Sequence, residues 1–206
     1  MTGEDTGSNG APFLAEFNLR DGTPVVIRQI KPQDKPLLEI GFRHLSKEGQ
    51  YFRFFRPMSK LSNKLLEQFT EIDHVNHEAV GALGTGEDVD VPLGIARYIR
   101  TPQKPETAEV AVTVVDTQQG KGLGTLLLAI LAYRAVKCDI TEFTAFVMGG
   151  NHQMLEVFKE LGATSEVGVA GEVEVTIPLF ADASCYPDTP AGEVVRQVSE
   201  RFEPTR

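Results

Sequence analysis

The apolar positions of this chain change their period several times, and each change marks an element. Thr23 to Ile30 is β-branched and lies between the Asp21-Gly22 turn and Pro32, which predicts a first strand. Leu37, Leu38, Ile40, Gly41 and Leu45 then recur at roughly helical spacing across Asp34 to Leu45. A second helical stretch, Lys47 to Phe55, carries Tyr51, Phe52, Phe54 and Phe55, and a third, Ser62 to Thr70, opens on a serine cap. From there the pattern becomes that of strands. Glu78 to Gly84 and Val91 to Ile99 flank an acidic, glycine-containing turn and read as a hairpin. Ala108 to Val115 is almost wholly apolar, as expected of a central strand. Leu126 to Val136 is an apolar helix, Glu142 to Met148 a strand, Asn151 to Leu161 a helix stopped by Gly162, and Glu172 to Phe180 a closing strand. This order predicts an α/β fold, a mixed sheet with helices on its faces.

A length of 206 residues suits one domain with a full core. We expect a flexible lead over 1–20, the domain over 21–180 and a tail over 181–206. The tail holds a short amphipathic stretch with Val194, Val195, Val198 and Phe202, a candidate docked helix or homodimer contact. A net charge of −9 argues against nucleic acid as a partner, because no broad basic face can meet phosphates, and it suits a cationic amine. Cys138 and Cys185 lie far apart and form no CxxC pair. No apolar run reaches the ~20 residues of a membrane helix. The acidic, Gly- and Ser-rich start lacks the basic and apolar regions of a signal peptide, so a cytoplasmic location and no membrane partner are expected.

The chemistry is concentrated between a strand end and a helix start, in Asp116-Thr-Gln-Gln-Gly-Lys-Gly-Leu-Gly-Thr125. Gly120, Gly122 and Gly124 alternate, allowing the backbone to approach a ligand closely with its N–H groups turned inward. The following helix adds unpaired N–H groups and a positive dipole end, completing a phosphate or pyrophosphate site. A P-loop and a dinucleotide fingerprint both fail here by spacing, since no Lys-Ser or Lys-Thr follows and the third position after Gly122 is Thr125.

Gln119-Gly-Lys-Gly-Leu-Gly124 resembles the [Q/R]-x-x-G-x-[G/A] signature of the GNAT acetyltransferases, and Asn151 to Gly162 is similar to a second block of that superfamily. The resemblance covers roughly residues 23 to 180. Ser46 to Phe55, Leu93 to Arg97 and Ala108 to Val112 further resemble the bacterial Pat-type protein lysine acetyltransferases. The resemblance implies a GNAT fold, with a mostly antiparallel sheet of six or seven strands. It implies acetyl-CoA as co-substrate and transfer of the acetyl group to a primary amine, a protein lysine being favoured over a small-molecule amine. The pyrophosphate would rest on the amides of Gln119, Gly120, Lys121, Gly122, Leu123, Gly124 and Thr125. The pantetheine arm would pair with Thr113, Val114 and Val115, with Asn151 near its end. Glu109 would be the general base, with partial burial tuning its carboxyl. Phe158, on the cofactor side, stands where many members carry a tyrosine that protonates the departing thiolate. Its hydroxyl-free ring motivates a rival reading as a non-catalytic acyl-CoA sensor.

Two further clusters call for blander roles. Asp73-His74-Val-Asn-His77-Glu78 lacks the spacing of a zinc site, so no metal is expected. The aromatic run from Tyr51 to Phe55 is expected to serve core packing and a substrate wall rather than base stacking.

Overall fold

The computed structural model describes residues 13–56, 58–168 and 171–203. Eight strands form one open sheet in the order β1-β2-β3-β4-β5-β6-β8-β7. They are β1 (Leu14–Asn18), β2 (Pro24–Gln29), β3 (His77–Gly84), β4 (Pro92–Thr101), β5 (Lys104–Val114), β6 (Glu142–Met148), β7 (Thr164–Val167) and β8 (Glu172–Pro178). Six α-helices are described: α1 (Lys35–Arg43), α2 (Lys47–Phe54), α3 (Asn63–Thr70), α4 (Leu123–Val136), α5 (His152–Glu160) and α6 (Pro190–Phe202). Every neighbouring pair is antiparallel except β5 and β6, which run parallel and are joined by the crossover through α4.

Two strands exceed the expected six or seven, and both are edges. β1 falls within the stretch expected to be a flexible lead, of which residues 1–12 lie outside the described residues. β1 alternates over a short span, with Ala15 buried and Phe17 partly buried between exposed Leu14, Glu16 and Asn18, whereas β7 is exposed throughout and carries no alternation. Their pairing comes from the neighbour instead: β1 adds to β2 from Leu14↔Arg28 to Asn18↔Pro24. β5 likewise begins earlier than its apolar stretch, because it returns on β4 through a tight hairpin at Thr101↔Lys104.

The main core lies between the sheet and α4. That helix is apolar on all sides, and accordingly Leu127, Leu128, Ile130 and Leu131 are fully buried. Beneath it Tyr98 of β4 meets Phe143 of β6 with ring centroids 5.8 Å apart. Above it α6 lays down Val195 and Val198, so the amphipathic face of the tail is consumed within the chain. On the opposite face a smaller cluster of Phe42, Leu61 and Leu66 anchors α1 and α3.

One buried carboxylate ties the layers together. Glu78 of β3 accepts from Arg134 Nε of α4 at 2.6 Å, from Gln29 Nε2 at 2.9 Å and from the Ala79 N–H at 2.9 Å, and it contacts His74 Nδ1 at 2.7 Å. Burial opposes its ionisation, but His74 and Arg134 hold its carboxyl below the usual value. Removing one partner of such a pair leaves the other charge stranded in the core. Arg134→Met is therefore expected to lower unfolding free energy by about 3 kcal/mol, read from urea denaturation.

Candidate active site

β5 and β6 pair only from Thr107↔Glu142 to Glu109↔Thr144. Beyond that point no ladder joins them among the described residues, and the two strands part like a fork. The direction of the backbone groups on β5 follows from its other partner. The Val115 N–H donates to the Leu93 carbonyl at 2.9 Å, and Thr113 stands opposite Ile95. Antiparallel alternation then turns the backbone of Thr113 toward β4 and that of Val112 and Val114 into the fork. Of the three residues expected to pair with pantetheine, only Val114 presents its backbone there. The free edge consists of Val112 and Val114, and the Val115 N–H is already bonded.

Where β5 ends, a 3-10 turn (Asp116–Gln118) leads into the glycine loop. Gly120 and Gly122 take φ of 75° and 87°, in the left-handed region that only glycine enters at little cost. Gly122 caps α4 without a side-chain bond, leaving first-turn N–H groups for another acceptor. The Gln119 side chain turns back to donate to the Val114 carbonyl at 3.3 Å. Arg20, which the sequence pattern did not single out, lies against this loop. Its N–H donates to the Lys121 carbonyl at 3.1 Å, and a Cβ on Gly122 would come within 3.2 Å of its side chain. Lys121 itself pairs with Asp21 at 3.2 Å.

The fork and the loop open into a cleft of about 450 Å³ bounded by α2 and α5. Thr113, Val114 and Gln119 line it, as do Gly120, Gly122, Gly124, Thr125 and Asn151. Asn151 also accepts from the Met154 N–H at 3.3 Å and so caps α5. Ser46, at the start of α2, donates its N–H and its hydroxyl to Asp116, both at 2.8 Å, fixing the α2 wall to the end of β5. The side chains of Val115 and Leu123 are buried. Phe158 is 2% exposed and packs in the main core rather than on the cleft wall. Glu109 stands at the point where the fork opens, and it is exposed, not partly buried as expected. Its flanks Ala108 and Val110 are buried on the α4 face, so Glu109 projects from the face that carries α2.

Residues 43–163 match the model of the acetyltransferase (GNAT) family. This chain belongs to the GNAT acetyltransferases. It is 30% identical over 194 residues to acetyltransferase Pat of Mycolicibacterium smegmatis, covering 88% of this chain and 56% of that relative. The chain thus spans a little over half the length of that protein. The GNAT domain of S. lividans PAT superposes with a TM-score of 0.73 at 31% identity, covering 81% of this chain and 97% of that domain. The fold also matches yncA of Salmonella typhimurium, solved with its cofactor acetyl-CoA, with a TM-score of 0.61 at 20% identity over 80% of this chain and 98% of that one.

Around the GNAT cleft the α2 face carries an unusual concentration of cations. Arg53 of α2 is drawn down from the ordinary arginine value by burial, with the nearby Glu109 carboxylate acting in the opposite sense. Arg97 of β4 is held well below that value by burial and by Arg53. Arg97 donates to His77 Nε2 at 3.5 Å, which requires a lone pair there because arginine has no acceptor. Burial first and Arg97 second push His77 down to about 4. The His-rich motif is thus built into the fold: Asp73 accepts N–H bonds from Val75, Asn76 and His77, and these hold its carboxyl at about 2 against burial.

A histidine whose folded pKa lies near 4, against an ordinary 6.5, contributes stability that is complete above pH 6.5 and is lost as pH falls toward 4. Glu78, His74, Asp73 and Arg97 surround it, and neither carboxylate titrates upward in that window. His77→Gln keeps an acceptor for Arg97 but cannot be protonated. The drop in melting temperature between about pH 7 and about pH 4.5 is expected to shrink in this variant relative to the parent.

Proposed function

We propose that the chain transfers an acetyl group from acetyl-CoA to a primary amine, with a protein lysine side chain as the favoured acceptor. The observation that carries this reading is the fork: a strand that turns the N–H groups of Val112 and Val114 away from β4 ends on a glycine loop that leads into a helix start without a side-chain cap. A pantetheine arm offers amides that can complete such an edge, and a pyrophosphate suits the N–H groups of the loop. Arg20 supplies a positive charge beside that loop. The co-substrate brings an activated thioester; the protein supplies position, an oxyanion donor and a base.

The N–H of Val112 is the donor we assign to the developing oxyanion, since it faces the fork and β4 does not use it. An amine with a pKa near ~10.4 arrives protonated and must lose that proton to attack. Glu109 is the base we assign. It lies ~10 Å along the strand from Val112 by strand rise, so a water would relay the proton. The Phe158 ring sits in the core and offers no hydroxyl, which leaves the departing sulfur to be protonated from solvent. The resemblance to Pat-type enzymes supports protein lysine, and the acidic chain favours cationic acceptors.

Thiol release from acetyl-CoA in the presence of a protein panel and a small-amine panel tests the reading. Turnover is expected on proteins, and Glu109→Gln is expected to lower kcat about 10²-fold with the KM for acetyl-CoA unchanged. Saturation by one small amine, with proteins ignored, would replace the lysine assignment. Coenzyme binding without turnover on either panel would favour the sensor. Arg20→Ala should raise the KM for acetyl-CoA by about tenfold while leaving kcat near the parent value.

A further inference from the structure

On the α2 face of the sheet lies a second cavity of about 80 Å³, walled by α1, α2 and α3 against β3, β4 and β5. Its lining is mostly apolar, with Leu38, Phe42, Leu61 and Ile95 among it. Leu45, Arg53 and Thr113 line both this cavity and the coenzyme cleft. The two spaces therefore share a wall beside the free edge of β5.

Arg53 and Arg97 both line this cavity, and the acid that acts on either is Glu109, which reaches Arg53 through its field and not through an ion pair. Arg97 is 4% exposed, and its acceptors are the Phe69 carbonyl at 3.4 Å and His77 Nε2 at 3.5 Å, both neutral and both long. Its guanidinium carbon lies 3.7 Å from the Phe69 ring centroid, and that of Arg53 lies 5.7 Å from the same ring. Among the described residues neither arginine is in an ion pair, and Arg53 makes no hydrogen bond. The Thr113 hydroxyl, buried in the shared wall, also lacks a partner. Arg28, which lines the same cavity, shows what a satisfied arginine looks like here: Asp34 grips it with two bonds of 2.7 and 2.8 Å. A ring face attracts a cation by about 0.5–2 kcal/mol, which does not replace an anion for a charge taken out of water. Two cations side by side repel, and that repulsion would be relieved by one shared carboxylate.

We infer that this cavity holds the terminal carboxylate of a short dicarboxylic acyl group, such as succinyl, so that the enzyme takes dicarboxylic acyl-CoA as well as acetyl-CoA. The inference rests on the reading of the cleft as an acyl-CoA site. An apolar passage with a doubly cationic end fits a stem of one to three methylenes that ends in a carboxylate. An incoming ammonium would be repelled by Arg53 and Arg97, so the acceptor amine does not belong in this space. The acyl group does, because it hangs from the pantetheine at the wall that the cavity and the cleft share. In the transfer the amine nitrogen forms its bond to the thioester carbon and the carbon–sulfur bond breaks. One proton leaves the amine toward Glu109, and the sulfur departs with the electron pair and takes up a proton. The products are an N-succinyl amide and free CoA, and a modified lysine passes from positive to negative.

Calorimetric titration of the full chain with succinyl-CoA, acetyl-CoA, CoA and free succinate tests this, alongside Arg53→Met and Arg97→Met, whose folding is checked by circular dichroism. Succinyl-CoA is expected to bind about tenfold or more tightly than acetyl-CoA, and Arg53→Met to bring the ratio of the two affinities, measured within that variant, close to one. Arg53 lines both the cavity and the cleft and is only half-buried, so its variant remains informative if Arg97→Met fails to fold. Mass spectrometry of an incubated lysine-containing protein should show succinyl adducts. Equal affinity for the two thioesters, unchanged by Arg53→Met, would overturn the inference and leave the acetyltransferase reading standing. Absence of binding by every CoA species would overturn both. Succinate that binds in the presence of saturating acetyl-CoA, with no preference for succinyl-CoA, would assign the carboxylate to the acceptor and sink the acyl assignment.

Discussion

A strand inside a sheet has backbone donors and acceptors on both edges, and leaving one edge unpaired away from water costs as much as the hydrogen bonds it forgoes. β5 meets that demand on both sides only as far as Glu109. Past it, the groups of Val112 and Val114 have no strand to pair with, and the strand runs into a loop where the Gln119 N–H is given to the Asp116 carbonyl and α4 starts without a side-chain cap. The start of α4, α5 and the end of β5 meet closely here, such that a Cβ placed on Gly124 would lie 3.6 Å from Val114, 3.8 Å from Met154 and 3.9 Å from Val112. An extended ligand with amides of its own can satisfy what the sheet cannot.

The parallel pairing of β5 and β6 is what makes this possible. Parallel neighbours need a crossover, and here the crossover is α4, whose apolar surface places it across the middle of the sheet. The same helix donates Arg134 to Glu78, so the element that opens the cleft is also bolted to β3 on the far side. α6 then covers the face of α4 that the sheet does not reach. The tail's amphipathic stretch thus takes the docked position, with Val195 and Val198 in the core.

Charge follows a different logic. The chain is acidic overall, yet Arg20, Arg53 and Arg97 are gathered around the cleft and its neighbouring cavity. Buried arginines stay charged because their intrinsic pKa lies above ~12, so their cost must be met locally. For Arg28 the answer is Asp34, within one turn of chain. For Arg53 and Arg97 the answer within the chain is partial: a shared phenylalanine ring, two neutral acceptors, and the field of Glu109 at the mouth. The positions of these arginines mark the α2 face as the side on which charge is handled.

The elements with a strong local signal were legible in the chain. The β-branched and apolar strands, the capped helices and the stop at Gly162 follow from sterics, propensity and burial period, which act over a few residues. The glycine loop was legible for the same reason, since Gly120 and Gly122 occupy backbone angles closed to most side chains. The edge strands were not: β7 is exposed along its whole length and leaves no alternation, and β1 turns only Ala15 and Phe17 inward over five residues, too short a pattern to stand out without its partner β2. Nor could spacing reveal which residues of β5 turn their backbone into the fork. That alternation is fixed by the register with β4: of the expected Thr113, Val114 and Val115 it keeps Val114 on the free edge, removes Thr113 and Val115 and adds Val112. Phe158, Arg20, Arg53 and Arg97 took their places only on folding: one ring withdrew into the core, and three cations from separate segments assembled around one cleft and its neighbour. Local sequence sets which conformations a segment prefers; burial and charge proximity between distant segments exist only once the tertiary structure brings them together.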